Sequence, residues 1–275
     1  MDKKKWVKTG AITLGMVASL LVGTKLSGAD EKKVYIPDDE VRSTIVRELN
    51  GYSDPETGEE LVIENELPTV RQMNQLENLS FYNVSSFEGL QHAKNAKRLY
   101  YAPEDNEVID FRPIAKMEKL EEFFCYSFNQ TTTPFDISAF GELKHLNSLN
   151  FGYNVSIFDF SPLSNVKTLK SLHAYGGGMV EFPAVYVDQT TKSFKMKHPV
   201  KYSTQFDGGN KEIEAMEFAG NEEALGNVDV LLKEDKVIVS NISKDAAKIH
   251  LRFVMNSTDN NFLAVTDCIV PIIWE

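Results

Sequence analysis

One short apolar pattern recurs between Leu76 and Val187, and no other feature of this 275-residue chain narrows its fold as far. Five copies stand as Leu76-Glu-Asn-Leu79-Ser-Phe81, Ala96-Lys-Arg-Leu99-Tyr-Tyr101, Leu120-Glu-Glu-Phe123-Phe-Cys125, Leu146-Asn-Ser-Leu149-Asn-Phe151 and Leu169-Lys-Ser-Leu172-His-Ala174. Their starts lie 20, 24, 26 and 23 residues apart. A unit of that length holds one short strand and one return segment, and it buries its apolar positions only by stacking on its neighbours. The pattern therefore predicts a solenoid with a parallel sheet along one side.

A second pattern runs in phase with the first. Each strand is followed by an apolar-Asp-apolar unit, as in Ile109-Asp110-Phe111, Phe135-Asp136-Ile137 and Phe158-Asp159-Phe160, with Phe87-Glu-Gly-Leu90 as an abbreviated first copy. Alternation sends the apolar residues into the coil and the Asp outward, where it bonds local backbone amides. Pro113 and Pro162 start return segments whose Ile114 and Met117, or Leu163 and Val166, fill the back of the turn; Phe140 and Leu143 do the same in the third unit. Together the two patterns define about five leucine-rich repeats over residues 67–181. The Asn that closes the strand turn in such repeats stands at Asn154, and residues 103–107 and 130–134 are small loop insertions.

The flanks carry their own signals. Pro37 opens a segment with acids in its first turn and Val41, Ile45 and Leu49 at helical spacing, an amphipathic helix able to cover the open first turn of the repeats. Residues 30–66 form this amino-terminal cap, with a possible capping strand at Leu61-Val-Ile63. From Val185 onward the pattern changes to alternation, with strands expected at residues 193–196, 213–218, 228–232, 236–239, 248–254, 262–266 and 268–274. That count and spacing predict a β-sandwich over residues 182–275 that shares the repeats' core through Phe182 and Val185.

The repeat block resembles the internalin family of secreted bacterial repeat proteins, whose units end in a similar Asp-apolar-Ser-Pro-Leu. Val34-Tyr-Ile36-Pro37-Asp38-Asp39 is similar to that family's helical cap. Tyr186-Val-Asp-Gln-Thr-Thr191, His198-Pro199-Val200 and Asp207-Gly208 are similar to the opening of its immunoglobulin-like domain. The resemblance implies a mostly β fold with a helical cap, repeats and an immunoglobulin-like sandwich. It also implies a concave repeat face that holds host surface proteins.

Lys3, Lys4, Lys5 and Lys8 precede an apolar run from Ala11 to Val22, and Ser27-Gly-Ala29 follows, so residues 1–29 have the form of a secretory signal peptide. The run is shorter than the ~20 apolar residues that span a bilayer. The expected product is secreted, with no membrane insertion after cleavage. Pro271 to Glu275 carries no hydrophobic tail or sorting motif, which predicts release from the cell rather than covalent attachment. Cleavage after Ala29 would leave 24 basic against 39 acidic residues, a net charge of −15. Such a field disfavours nucleic acid and anionic lipid as partners. Cys125 and Cys268 are expected as buried free thiols, since a bond between them would have to cross from the repeats into the sandwich.

The sequence offers no catalytic constellation. Its five His residues lack metal-type spacing, and Gly176-Gly-Gly178 is not followed by the Lys-Ser/Thr of a phosphate loop. No cofactor, metal or enzyme activity is expected. Binding is better supported, because residues between the inward leucine positions face out onto the concave sheet. Tyr82, Tyr100, Phe124, Tyr126 and Tyr175 stand there as apolar anchors, with Arg98, Asn150 and His173 as hydrogen-bonding groups. Paired with an acidic group of the partner, His173 would also make binding sensitive to pH near neutrality. The expected partner is an extracellular protein such as a host receptor; a glycan, or a sibling protein of the cell envelope bound through the sandwich, are the alternatives.

Overall fold

The computed structural model describes residues 32–50, 67–103 and 110–275, together with 53 and 58. The expected signal peptide at residues 1–29 and the expected capping strand at 61–63 lie outside the described residues, as do residues 104–107 of the first insertion and Ile109 of the unit that follows it. Among the described residues no helix is long and apolar enough to cross a membrane. The fold is mostly β.

The amino-terminal helix α1 (Asp39–Leu49) buries Val41, Thr44, Ile45 and Leu49. Asp38 caps it: its carboxylate accepts from the Val41 N–H at 2.9 Å and from both the N–H and the hydroxyl of Ser85 at 2.7 Å. One side chain thus closes the helix start and ties it to the first repeat loop. A second short helix, α2 (Val70–Met73), begins with a reciprocal capping box between Thr69 and Gln72.

Five parallel strands follow: β1 (Asn78–Tyr82), β2 (Arg98–Ala102), β3 (Glu122–Cys125), β4 (Ser148–Phe151) and β5 (Ser171–Ala174). Their registers align two inward rows, Leu79-Leu99-Phe123-Leu149-Leu172 and Phe81-Tyr101-Cys125-Phe151-Ala174, and every member is buried. Short 3-10 turns at Leu90–His92, Ile114–Lys116, Ser138–Glu142 and Ser161–Asn165 return the chain behind them. Between the two layers Phe87, Phe111, Phe140, Phe123 and Phe151 pack ring on ring, with centroids 4.7–6.0 Å apart. Asp110, Asp136 and Asp159 each accept from the backbone N–H two residues on, at 2.9–3.0 Å, which is the local role their pattern suggested. Asn154 takes the left-handed conformation and donates to the carbonyls of Ser127 and Phe128; Asn83 is left-handed too, at the end of β1.

The remaining strands are β6 (Val180–Glu181), β7 (Val185–Val187), β8 (Phe194–Lys197), β9 (Asn210–Ala219), β10 (Ala224–Asn227), β11 (Asp229–Lys233), β12 (Lys236–Ser240), β13 (Ala246–Asn256) and β14 (Phe262–Trp274). β14 pairs in parallel with β5, so the repeat sheet runs on through β14, β13, β9 and β10. A second sheet, β11-β12-β8, buries Phe194, Val237 and Val239 in the same core as Ile249, Leu251 and Phe253. Phe182 packs on Phe158 of the repeats at 5.3 Å, and both Phe182 and Val185 lie against the common core. Both cysteines are free and buried; burial raises the Cys125 thiol far above its ordinary range and pushes Cys268 up to about 12.

Two expected strands, 262–266 and 268–274, are one. Asp267, the residue between the two expected spans, is fully buried inside β14. Its Oδ2 accepts from the Gly177 N–H at 2.6 Å, and its Oδ1 lies 2.9 Å from His250 Nε2 and 3.9 Å from Arg252 Nη1. The triple-glycine segment is therefore a lid over this carboxylate. Gly176 sits at φ +70°, and a Cβ there would collide with Asp267 Oδ2. Beside it Thr266 Oγ1 donates to the Ile157 carbonyl at 2.7 Å and Ser156 Oγ to the Asp267 carbonyl at 3.2 Å.

Replacing Asp267 with Leu strands the Gly177 N–H and the His250 ring in the interior. We expect a loss of roughly 3 kcal/mol or more in urea unfolding. Asp38 supplies a pH-dependent contribution. Burial raises its pKa, but the bonds from Val41 and Ser85 outweigh burial and leave it below the ordinary carboxylate value. Its stabilisation is thus complete above the unfolded-state pKa and disappears as pH falls through the lower folded-state value. Asp38→Ala should cost about 1–3 kcal/mol at pH 7, and the gap from wild type should close below about pH 4 in parallel melts.

Candidate functional site

The outward positions of β1 to β5 form the face opposite the 3-10 turns. Inward residues at every second position fix the strands' orientation, and the outward side chains follow by alternation. Three rows result from the registers. Asn78-Arg98-Glu122-Ser148-Ser171 forms one and Ser80-Tyr100-Phe124-Asn150-His173 the next; the third begins with Tyr82 paired to the buried Ala102 at the ends of β1 and β2 and continues just past β3, β4 and β5 with Tyr126, Gly152 and Tyr175.

The aromatic residues are brought together as a ladder. Tyr100 stacks on Phe124 with centroids 5.0 Å apart and planes within 8°, and Tyr82 tilts against Tyr100 at 6.0 Å. Neighbouring strands lie about 4.8 Å apart, so rings in register on adjacent strands stack face to face and present edges outward. Tyr82 remains 50% exposed, whereas Tyr100 and Phe124 are half-buried by each other. Burial raises the Tyr100 phenol pKa, with smaller repulsive contributions from Tyr82, Cys125 and Tyr126.

A second aromatic group stands beside β5. His173 stacks on Tyr175 at 6.1 Å, and Tyr175 lies 5.3 Å from Tyr153. Tyr126 packs edge-on against Phe128 at 5.2 Å and lies over Gly152, where a Cβ would come within 2.7 Å of its ring. Arg98 is paired along the sheet: its exposed Nε bonds Glu122 at 3.1 Å. Asn150 is half-buried between the two aromatic groups.

A hollow of about 580 Å³ opens on this face, lined among others by Tyr100, Phe124, Arg98, Glu122, Ser148 and Asn150. Glu48, from the end of α1, reaches its rim. Helical spacing alone does not reveal that residue's role, because only the packing of the cap against β1 brings it there. Tyr153 and Phe128, 59% and 55% exposed, were also missed. Phe128 continues the outward parity of Phe124 and Tyr126 beyond the strand, which is the signal that identifies it. Among the described residues no group of His, Cys, Asp and Glu is placed to hold a metal ion.

No protein-family model matches the sequence, and no curated protein shares significant sequence similarity with it. Among solved structures, the functional domain of InlJ from Listeria monocytogenes is similar at a TM-score of 0.42 and 12% identity, over 74% of this chain and 44% of that one. The CBM51-2 and INT domains of Clostridium perfringens ZmpB give a TM-score of 0.32 and 13% identity, over 90% and 38% of the two chains. InlP from Listeria monocytogenes gives 0.24 and 10%, over 86% and 96%. The chain spans less than half the length of the first two. All three scores lie below 0.5 and add nothing to the geometry described above.

The Tyr100–Phe124 stack contributes to stability as well as to the face. A double-mutant cycle of Tyr100→Ala and Phe124→Ala, followed by thermal and urea unfolding, should return a coupling of about 0.5–1.5 kcal/mol.

Proposed function

We propose that this chain is a secreted, internalin-like recognition protein: a helical cap, about five leucine-rich repeats and an immunoglobulin-like sandwich. It binds an extracellular protein, such as a host surface receptor, through the concave face of the repeats, and it catalyses no reaction. The observation that carries this reading is the outward-facing ladder of an exposed Tyr82 and half-buried Tyr100 and Phe124 beside a 580 Å³ hollow. Exposed aromatic clusters held on a rigid sheet supply contact area at little cost in side-chain entropy.

The orientation of the rings favours protein over glycan. A sugar platform needs a broad, coplanar array of exposed ring faces, while Tyr100 and Phe124 stack on each other with edges outward, which leaves only the narrow slot beside Phe124. The sibling-protein alternative places binding on the sandwich, away from this ladder.

Capture from host-cell surface extract and from the producer's culture distinguishes these readings. The wild-type chain should retain a host protein that a Tyr82, Tyr100, Phe124→Ala variant of unchanged fold loses by at least about tenfold, the loss of ~1.4 kcal/mol or more expected of a central anchor. Capture of envelope proteins alone, equal in both, would move the function to the sandwich. Release by millimolar sugar would move it to glycan binding.

A further inference from the structure

On β4 the ladder has a missing rung. Tyr100, Phe124, Asn150 and His173 stand in register on four successive strands, and all but Asn150 carry rings. The other outward positions of β4 are equally short: Ser148 on one side of Asn150 and Gly152 on the other. Ser148 is further held down by a hydroxyl bond from Ser171 at 3.1 Å. A trough thus runs over Ser148 and Asn150 between Phe124 on β3 and His173 on β5, and the Tyr126 ring closes it at Gly152.

Its width is set by the sheet. Two strand spacings separate Phe124 from His173, about 9.5 Å. Tyr100 and Phe124 show that one spacing accommodates a stacked ring pair at 5.0 Å. A single ring over Asn150 would therefore continue the stack at the same interval on both sides. Among the described residues Tyr100 is the one ring stacked on Phe124, and His173 stacks on Tyr175, so neither flank is closed by a ring from the chain itself.

The charges lining the hollow indicate what accompanies that ring. Glu48, Arg98 and Glu122 are the charged groups there; Arg98 bonds Glu122 at 3.1 Å, while Glu48 has only a long, exposed contact with Arg47, 3.9 Å away and outside the hollow. The balance is one negative charge, and the edge of the hollow nearest α1 complements a cation.

From this geometry we infer that the trough over Asn150 receives an aromatic side chain of the protein partner, with a Lys or Arg beside it directed toward Glu48. This rests on the protein-binding reading above and specifies the chemistry of its contact. The Asn150 amide, at the base of the slot, supplies a donor and an acceptor for an indole N–H, a phenol or a partner backbone group. The inserted ring stacks against Phe124 and His173, and the cation is drawn by the Glu48 carboxylate.

The test uses the isotope-labelled full chain and four probes, each titrated to roughly 10 mM by NMR, a range that captures millimolar affinity. The probes are acetyl-Lys-Trp-Lys-amide, acetyl-Lys-Leu-Lys-amide, acetyl-Glu-Trp-Glu-amide and maltotriose. The first should shift the Asn150 side-chain amide and the amides of β3 to β5 saturably. The Leu and Glu peptides should bind at least about tenfold more weakly, the difference made by one stacked ring or one reversed charge pair. Asn150→Phe, which supplies the rung in cis at a half-exposed position, should abolish the shifts without lowering the melting temperature. Equal binding of the Leu peptide, no saturable shift with the Trp peptide, undiminished binding by Asn150→Phe, or preference for maltotriose each overturns the inference. The same variant separates this inference from the broader one. A protein captured by wild type and by Asn150→Phe alike, yet lost from the Tyr82, Tyr100, Phe124→Ala variant, refutes the slot and leaves the protein-binding face intact.

Discussion

The parallel pairing of β5 with β14 is the constraint on which the rest of the molecule depends. A row of parallel strands ends in an edge of unpaired N–H and C=O groups and an open core, both costly to leave in water. Here the last strand of the chain closes that edge: Phe262, Ala264 and Leu263 extend the inward and outward rows of Leu172, Ala174 and His173. Asp267 then secures the join from above, since its buried carboxylate needs the Gly177 N–H from the repeat side and His250 from the sandwich side at once. A buried carboxylate with all its partners is tolerable, and without them it is not, so the two halves are held in one relative position.

That continuity determines the geometry of the outward face of the repeats. Inward rows of Leu and Phe leave the outward side chains no freedom of direction, and the strand spacing forces in-register rings to stack. Tyr100 and Phe124 are thereby already ordered before any partner arrives, so little entropy remains to be lost on association. Arg98 behaves differently. Its exposed bond to Glu122 is worth at most about 1 kcal/mol, so a partner's carboxylate can take Glu122's place at small cost.

Much of this was legible in the sequence because short-range periodicity encodes it. The inward set from Leu79 to Ala174, the Asp turns at Asp110, Asp136 and Asp159, the outward direction of the ladder residues and the helix at Asp39–Leu49 all follow from local spacing. The unseen features depend on distant partners. The burial of Asp267 within β14 is one: a polar residue in a strand is ordinarily exposed, and only Gly177 and His250, 90 and 17 residues away, make this one a core residue. The pairing of β5 with β14 left no local trace either. Glu48 belongs to the polar side of α1 by its spacing and joins the hollow by tertiary packing alone. The stacking of the rings depended on register between units of unequal length, which no single unit records.

The size of the repeat face sets a further limit. Five strands at about 4.8 Å, each presenting four or five residues at about 3.3 Å, span roughly 24 by 15 Å, or about 350 Å² in projection. A stable protein interface buries about 800 Å² on each partner. The repeats alone fall short, so a partner held firmly must also touch what surrounds them. The continuous sheet provides that surface: Leu263, Val254 and Arg252 of β14 and β13 lie on the same side as His173 and remain partly exposed. Phe128 and Tyr153 extend the face at its loop margin, where they stand well clear of the sheet. Joining the sandwich to the repeats by one sheet therefore does more than close an edge; it widens a face that would otherwise be too narrow to grip a folded domain.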